Sequence, residues 1–238
     1  MSNQYYIEKY KDMAEIEKFY FQLRDKNNRL INIDGITNPI KVDNRQEFAV
    51  IDNQGQKPHC AGYSICSIIE ANIYKRTGRL INLNADQVYA KAKTMDGDPN
   101  GEGTYLETAI KAAIELGGLG KYAKNIKVGY LYNGRDDKTV EQLKYLIHKY
   151  EWIHAGFNIT SAWYNCNASD YRVHLGGQIL GGHAVVIVGY DMEGCYIANS
   201  WGQSFGHKGF CILPWNVFRE QFIYACFLQN SFDGLSEA

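Results

Sequence analysis

The sequence predicts an α+β fold of two lobes, the first mainly helical and the second mainly antiparallel β. Apolar residues recur at helical spacing through the first half. Short β-branched and aromatic runs bounded by Gly, Asn or Asp occupy the second half. Helices precede strands instead of alternating with them, which argues against βαβ units. A chain of 238 residues, 45% hydrophobic and 21% charged, buries enough apolar surface to fold without staples.

In chain order, Ile7, Tyr10, Met13, Ala14, Ile16, Phe19 and Phe21 lie loosely at helical spacing, so residues 1–36 read as an extension with one amphipathic helix over 5–25. The stretch INIDGITNPIK carries Gly35 and Pro39 and reads as a linker. From Cys60, Ile65, Ile68, Ile69 and Ile73 share one face of a buried helix of about four turns, with Pro58 just before it and Thr77-Gly78 as its stop. Residues 85–93 form a shorter helix. NGEGTYLETAIKAAIELGG is a glycine loop followed by a helix closed by Gly117-Gly118. After a helix at about 139–149 come four strands, WIHAGFNI, HAVVIVGYD, CYIANSW and GFCIL. The helical lobe thus covers 37–125 and the β lobe 126–238.

Twenty-five Lys and Arg balance 26 Asp and Glu, so no broad field draws the chain to nucleic acid or an anionic membrane. The first twenty residues lack an apolar signal core, and no apolar run is long enough to span a bilayer. A soluble, cytoplasmic protein is expected, with secretion by a signal-independent route as the alternative. The six cysteines show neither CxxC pairs nor metal spacing, so free thiols, no metal and no cofactor are expected. Nothing bears on oligomeric state.

Acyl transfer by a thiol needs a thiolate, an imidazole to exchange its proton, a group that orients the imidazole, and donors for the oxyanion. Cys60 opens the buried helix, where unpaired N–H groups and the macrodipole favour an anion. His183 begins the most apolar strand and follows Gly181-Gly182, where the backbone can approach closely. Asn199 lies 16 positions later, where its amide accepts an imidazole N–H. Singly, each has an ordinary structural reading: a small buried thiol, a satisfied strand histidine, a turn residue. Their combination points to nucleophilic catalysis.

Beyond about residue 40 the chain resembles the papain-like cysteine peptidases. The resemblance rests on Asn53-Gln54-Gly55, with Gln54 six residues before Cys60, on GHAVVIVGYD, and on NSWGQSFGHKGF. It implies a papain-like two-lobe fold with an antiparallel β-barrel-like second lobe and a cleft between the lobes. It also implies Gln54 as the oxyanion donor beside the Cys60 N–H, and Trp201 as a shield over the His183–Asn199 bond at the substrate cleft. Gly101 or Gly103 would pair with substrate backbone, and Gly182 stands at the cleft where the family often has an acid. Lys57 replaces a cysteine that the family bridges, Ala61 replaces an aromatic beside the thiol, and His59 is either a solvated loop residue or a second titrating group. The family usually carries a propeptide of about a hundred residues, so an enzyme made without a full-length one is expected.

The leading expectation is a cysteine peptidase that acts on protein or peptide substrates through a Cys60-His183-Asn199 triad and a thioester. A specialised amidase, deamidase or transpeptidase on a dedicated partner would use the same triad. A catalytically silent member would keep the cleft for binding.

Overall fold

The computed structural model of the protein describes residues 33, 35–116, 127–132 and 136–229. The helix expected over 5–25 and the Gly117-Gly118 stop lie outside these residues. In chain order the elements are β1 (Val42–Asp43), α1 (Cys60–Thr77), α2 (Ala85–Lys93), α3 (Leu106–Glu115), β2 (Lys127–Tyr132) and α4 (Asp137–Tyr150). They continue with β3 (Ile153–Thr160), β4 (Ile179–Tyr190), β5 (Gly194–Ala198), β6 (Phe210–Pro214), α5 (Trp215–Gln221) and β7 (Phe222–Gln229).

Local chemistry sets the helix ends. Gly78 takes φ 68°, left-handed backbone that stops α1, and its N–H bonds the Tyr74 carbonyl at 2.8 Å. The Asn84 side chain accepts the Gln87 N–H at 3.0 Å and starts α2. Asp136 does the same for α4, accepting from the Thr139 N–H at 2.8 Å. The start of α1 differs, because its N-cap, His59, makes no side-chain cap bond. The first amides of α1 are therefore left for another acceptor.

The strands form one sheet of order β2-β7-β3-β4-β5-β6, with β1 paired to β4, and the neighbouring pairs are antiparallel. The sheet stays open between β2 and β6, so the barrel-like lobe expected from the sequence is an open antiparallel sheet. Two apolar clusters sandwich it. On one face Ala184, Val186 and Val188 of β4 pack against Ile65, Ile68 and Ile69 of α1 and Ala109 and Ile110 of α3. On the other, Val185 and Ile187 pack with Leu143 and Ile147 of α4 and Phe218 of α5. Because β4 is covered on both sides, its apolar run is continuous instead of alternating; each such Val or Ile contributes about 1.5–3 kcal/mol of burial. Glycine is required where backbones meet: a Cβ at Gly62 lies 2.7 Å from the Ala85 carbonyl oxygen, and one at Gly189 lies 2.4 Å from that of Val42. Gly62 thereby lets α2 approach α1 within its first turn. Among the described residues no helix is long and apolar enough to cross a membrane.

Candidate active site

Between the helical layer and the sheet lies a cleft enclosing ≈ 940 Å³, including the open solvent at its mouth, and Cys60 and His183 both line it. Cys60 arrives there because it is the first residue of α1, and His183 because β4 passes beneath that helix end. The amides of Ala184, Ala61 and Cys60 itself hydrogen-bond the Cys60 sulfur and pull its pKa down, while burial, the larger effect, pushes it up. The uncapped start of α1 therefore faces a sulfur acceptor.

The Nε2 of His183 lies 2.8 Å from the Asn199 Oδ1. That same oxygen accepts the Ser200 N–H at 2.9 Å, which identifies it as the carbonyl oxygen of the amide. The imidazole must then carry a proton on Nε2, and Nδ1 is the nitrogen left for a reacting group. Trp201 stacks over the ring with centroids 5.0 Å apart, and Trp163 meets it edge-on at 6.2 Å. This burial lowers the imidazole pKa to about 4, and the bond to Asn199 works in the opposite direction.

Gln54 reaches the site through strand-like pairing of two distant segments. The Gln54 N–H donates to the Ser200 carbonyl at 2.9 Å, and the Gly202 N–H to the Asp52 carbonyl at 2.8 Å, flanking an Asn53–Trp201 bridge. Its side-chain amide is then fixed at both ends: Nε2 donates to the Lys57 carbonyl at 2.7 Å, and Oε1 accepts from the Ser200 hydroxyl at 2.6 Å. The sequence reading assigned nothing to Ser200, although it stands inside the NSWG stretch.

Gly103 and Gly182 also line the cleft. Gly101, Gln54, Asn199 and Trp201 do not; the Cβ position of Gly101 is filled by the Asp98 carboxylate at 2.2 Å. His59 is not a solvated loop residue. Its Nδ1 lies 2.8 Å from the Asp86 Oδ1, its ring stacks on Tyr89 at 3.8 Å, and Asp86 also holds Lys57. The far wall of the cleft contains Leu106, Gly156, Ile223 and Tyr224. Tyr224 was missed because β7 has no turn residue to announce it, being continuous with α5. All six cysteines carry free thiols, and those of Cys166 and Cys211 hydrogen-bond each other. Among the described residues no group of three or more His, Cys, Asp or Glu is disposed to hold a metal ion.

The sequence matches the model of the papain family cysteine proteases over residues 38–221. It is 35% identical over 83 residues to a cathepsin B-like cysteine proteinase 3 of Caenorhabditis elegans, covering 33% of this chain and 22% of that protein. It is 27% identical over 231 residues to papain of Carica papaya, covering 88% of this chain and 64% of papain. The chain thus spans less than two thirds of the length of these curated relatives. Among solved structures it resembles xylellain, a cysteine protease from Xylella fastidiosa, with a TM-score of 0.65 and 18% identity over 89% of this chain and 96% of that one.

Proposed function

This chain belongs to the papain family of cysteine proteases, and from that premise we propose that it hydrolyses peptide bonds with Cys60 as nucleophile and His183 as proton carrier. The observation that carries the reading is that Cys60, at the positive end of α1, shares a cleft with His183, whose outer nitrogen is tied to Asn199.

Proton transfer from the Cys60 thiol to Nδ1 of His183 gives a thiolate and an imidazolium. Burial disfavours either charge alone, but the pair is mutually stabilising and the amides at the sulfur favour the anion. The thiolate attacks the carbonyl carbon of a peptide bond, and the charge passes to the carbonyl oxygen. The Cys60 N–H and the second Nε2 hydrogen of Gln54, the first being used on the Lys57 carbonyl, are the donors we assign to that oxyanion. The C–N bond breaks as His183 gives its proton to the leaving amine, and a thioester remains on Cys60. Water, losing a proton to His183, then cleaves the thioester and restores the thiol.

A thiol-directed epoxide should add one label per chain, mapping by mass to Cys60, and should end turnover of a peptide library. Cys60→Ala should be unlabelled there and inactive. Full activity of Cys60→Ala rules the reading out. For setting, we propose a reducing, cytoplasmic compartment, supported by six free thiols of which two hydrogen-bond each other without forming a disulfide. Protein trapped by alkylation at lysis should carry six alkyl groups; a product two groups short would oppose this.

A further inference from the structure

Behind the nucleophile, a line of polar groups runs from the centre of the sheet to the peptide unit that follows Cys60. His154 lies on β3 at 1% exposure, opposite Val186 and Cys226 on the neighbouring strands. Its Nε2 is 2.7 Å from the Ser64 hydroxyl oxygen. That oxygen is 2.8 Å from the Cys60 carbonyl oxygen and 3.3 Å from that of Ala61.

A hydroxyl has a single proton to give. Donated to His154, it would leave two acceptor oxygens 2.8 Å apart with nothing between them. Donated to the Cys60 carbonyl, it satisfies that contact and leaves the Ser64 oxygen to accept from His154, which must then be protonated on Nε2. The His154 Nδ1 is consequently a bare lone pair, buried without a partner. Leaving a polar atom in that state costs about 1–3 kcal/mol, an expense that packing alone would not retain.

The Cys60 carbonyl and the Ala61 N–H are the two ends of one peptide unit, and that N–H is among the three amides bonded to the Cys60 sulfur. A donor placed on the carbonyl polarises the unit and strengthens its N–H as a donor. We propose that His154 and Ser64 are positioning residues for the peptidase reaction: His154 holds Ser64, Ser64 holds the Cys60 carbonyl, and the Ala61 N–H is thereby aimed at, and strengthened toward, the thiolate. The inference rests on the reading of Cys60 as nucleophile and adds to it a hydrogen-bonded support from inside the core.

Burial alone lowers the His154 pKa to about 3, with no charged neighbour contributing, so the relay keeps its protons in place wherever a thiol titrates. The other titratable and charged groups around Cys60 are His183 on β4, Tyr89 on α2, the Lys93, Asp96, Asp98, Glu102, Tyr105 and Tyr224 side chains of the cleft wall, and the His59–Asp86–Lys57 cluster, of which His59 and Lys57 precede α1 and Asp86 lies on α2. They are the same in every variant below.

The test is the rate of Cys60 alkylation by iodoacetamide in the full chain as a function of pH, read by mass mapping of the Cys60 peptide. Ser64→Ala and His154→Leu should displace the acid limb upward, lowering the rate on that limb about twofold, as expected from losing 10–30% of a hydrogen bond to a charged group, with the high-pH plateau unchanged. His154→Gln, which retains an N–H donor near the Nε2 position, should return the limb toward wild type. An unmoved limb in both Ser64→Ala and His154→Leu overturns the relay, as does a fallen plateau that His154→Gln does not rescue. If His154→Leu does not fold, Ser64→Ala decides alone. A wild-type limb at the ordinary thiol value near 8.5 would instead overturn the nucleophile reading itself.

Discussion

Asn199 serves two donors with one oxygen, the Nε2–H of His183 and the N–H of Ser200, while its own Nδ2 is buried without a partner. The amide is therefore held by what it accepts, and its value lies in fixing the imidazole tautomer. Asn199→Ala should lower kcat/KM roughly 10- to 100-fold, part of the 10²–10⁴ that a positioned general acid–base supplies, with little change in KM. Steady-state kinetics on one peptide checks this; an unchanged kcat would show that Trp201 and Trp163 alone orient the ring. Gln54 is the corresponding case on the oxyanion side, because Ser200 and the Lys57 carbonyl leave its amide a single orientation. Gln54→Ala should cost about 10²-fold in kcat, the usual loss for one oxyanion donor. A change confined to KM would remove Gln54 from the oxyanion site. Cys60 and Asn199 were legible because each stands at an element end that local rules mark, and His183 because two glycines precede it in an apolar run, although β4 begins four residues earlier, at Ile179, and His183 does not open it. Ser64 and His154 are ordinary residues inside a helix and a strand. Their 90-residue separation leaves no local trace of the contact.

At the scale of elements, what could be read from the sequence follows the range of the forces involved. The stop of α1 was legible in Gly78, and α2 was placed at its observed bounds, whereas α4 was expected from about 139 and begins at Asp137, its Asp136 cap and the Asn84 cap of α2 having gone unread. Strand β4 was legible as an apolar run, although cover on both faces had removed its alternation. The β2–β7 pair was not, since Lys127 meets Gln229 across about a hundred residues, and β7 follows α5 with no turn residue between them. The cap of α2 offers a direct check on local control. Asn84→Ala removes the 3.0 Å acceptor for the Gln87 N–H and should cost about 1 kcal/mol in urea unfolding. Asp86 anchors Lys57 and His59 from the first turn of the same helix, so the variant should also slow Cys60 labelling. A stability loss with labelling unchanged would show that the loop before Cys60 keeps its shape without this anchor.

For the molecule as a whole, the sheet is the common floor of both apolar clusters, and two ionisable groups withdrawn from solvent, His154 in β3 and Glu70 in α1, set opposing pH dependences. The open order β2-β7-β3-β4-β5-β6 was not readable as such, because closure depends on which edges meet and not on any one strand. His154 has a folded pKa of about 3 against 6.5 unfolded, the fall being the result of burial in the core. Between those values the unfolded chain binds a proton that the native state refuses, so stability falls as pH drops from 6.5 toward 3. Glu70 behaves in the opposite sense. Burial raises its carboxyl to about 7 from 4.5, against the pull of the Leu83 N–H, so the native state keeps a proton that the unfolded chain has lost, and stability falls as pH rises from 4.5 to 7. Each contributes up to about 1.4 kcal/mol per pH unit within its window, and between 4.5 and 6.5 the two cancel. Urea unfolding across this range should therefore show a nearly flat contribution from the pair in the wild type. His154→Gln should unmask Glu70, giving a protein whose stability relative to wild type grows steadily below pH 6.5, and Glu70→Gln should do the reverse, gaining on wild type above pH 4.5. A difference between wild type and His154→Gln that stays constant from pH 7 to pH 4 would mean that the histidine is hydrated in solution, and with it the dry core behind the cysteine on which its contact with Ser64 depends.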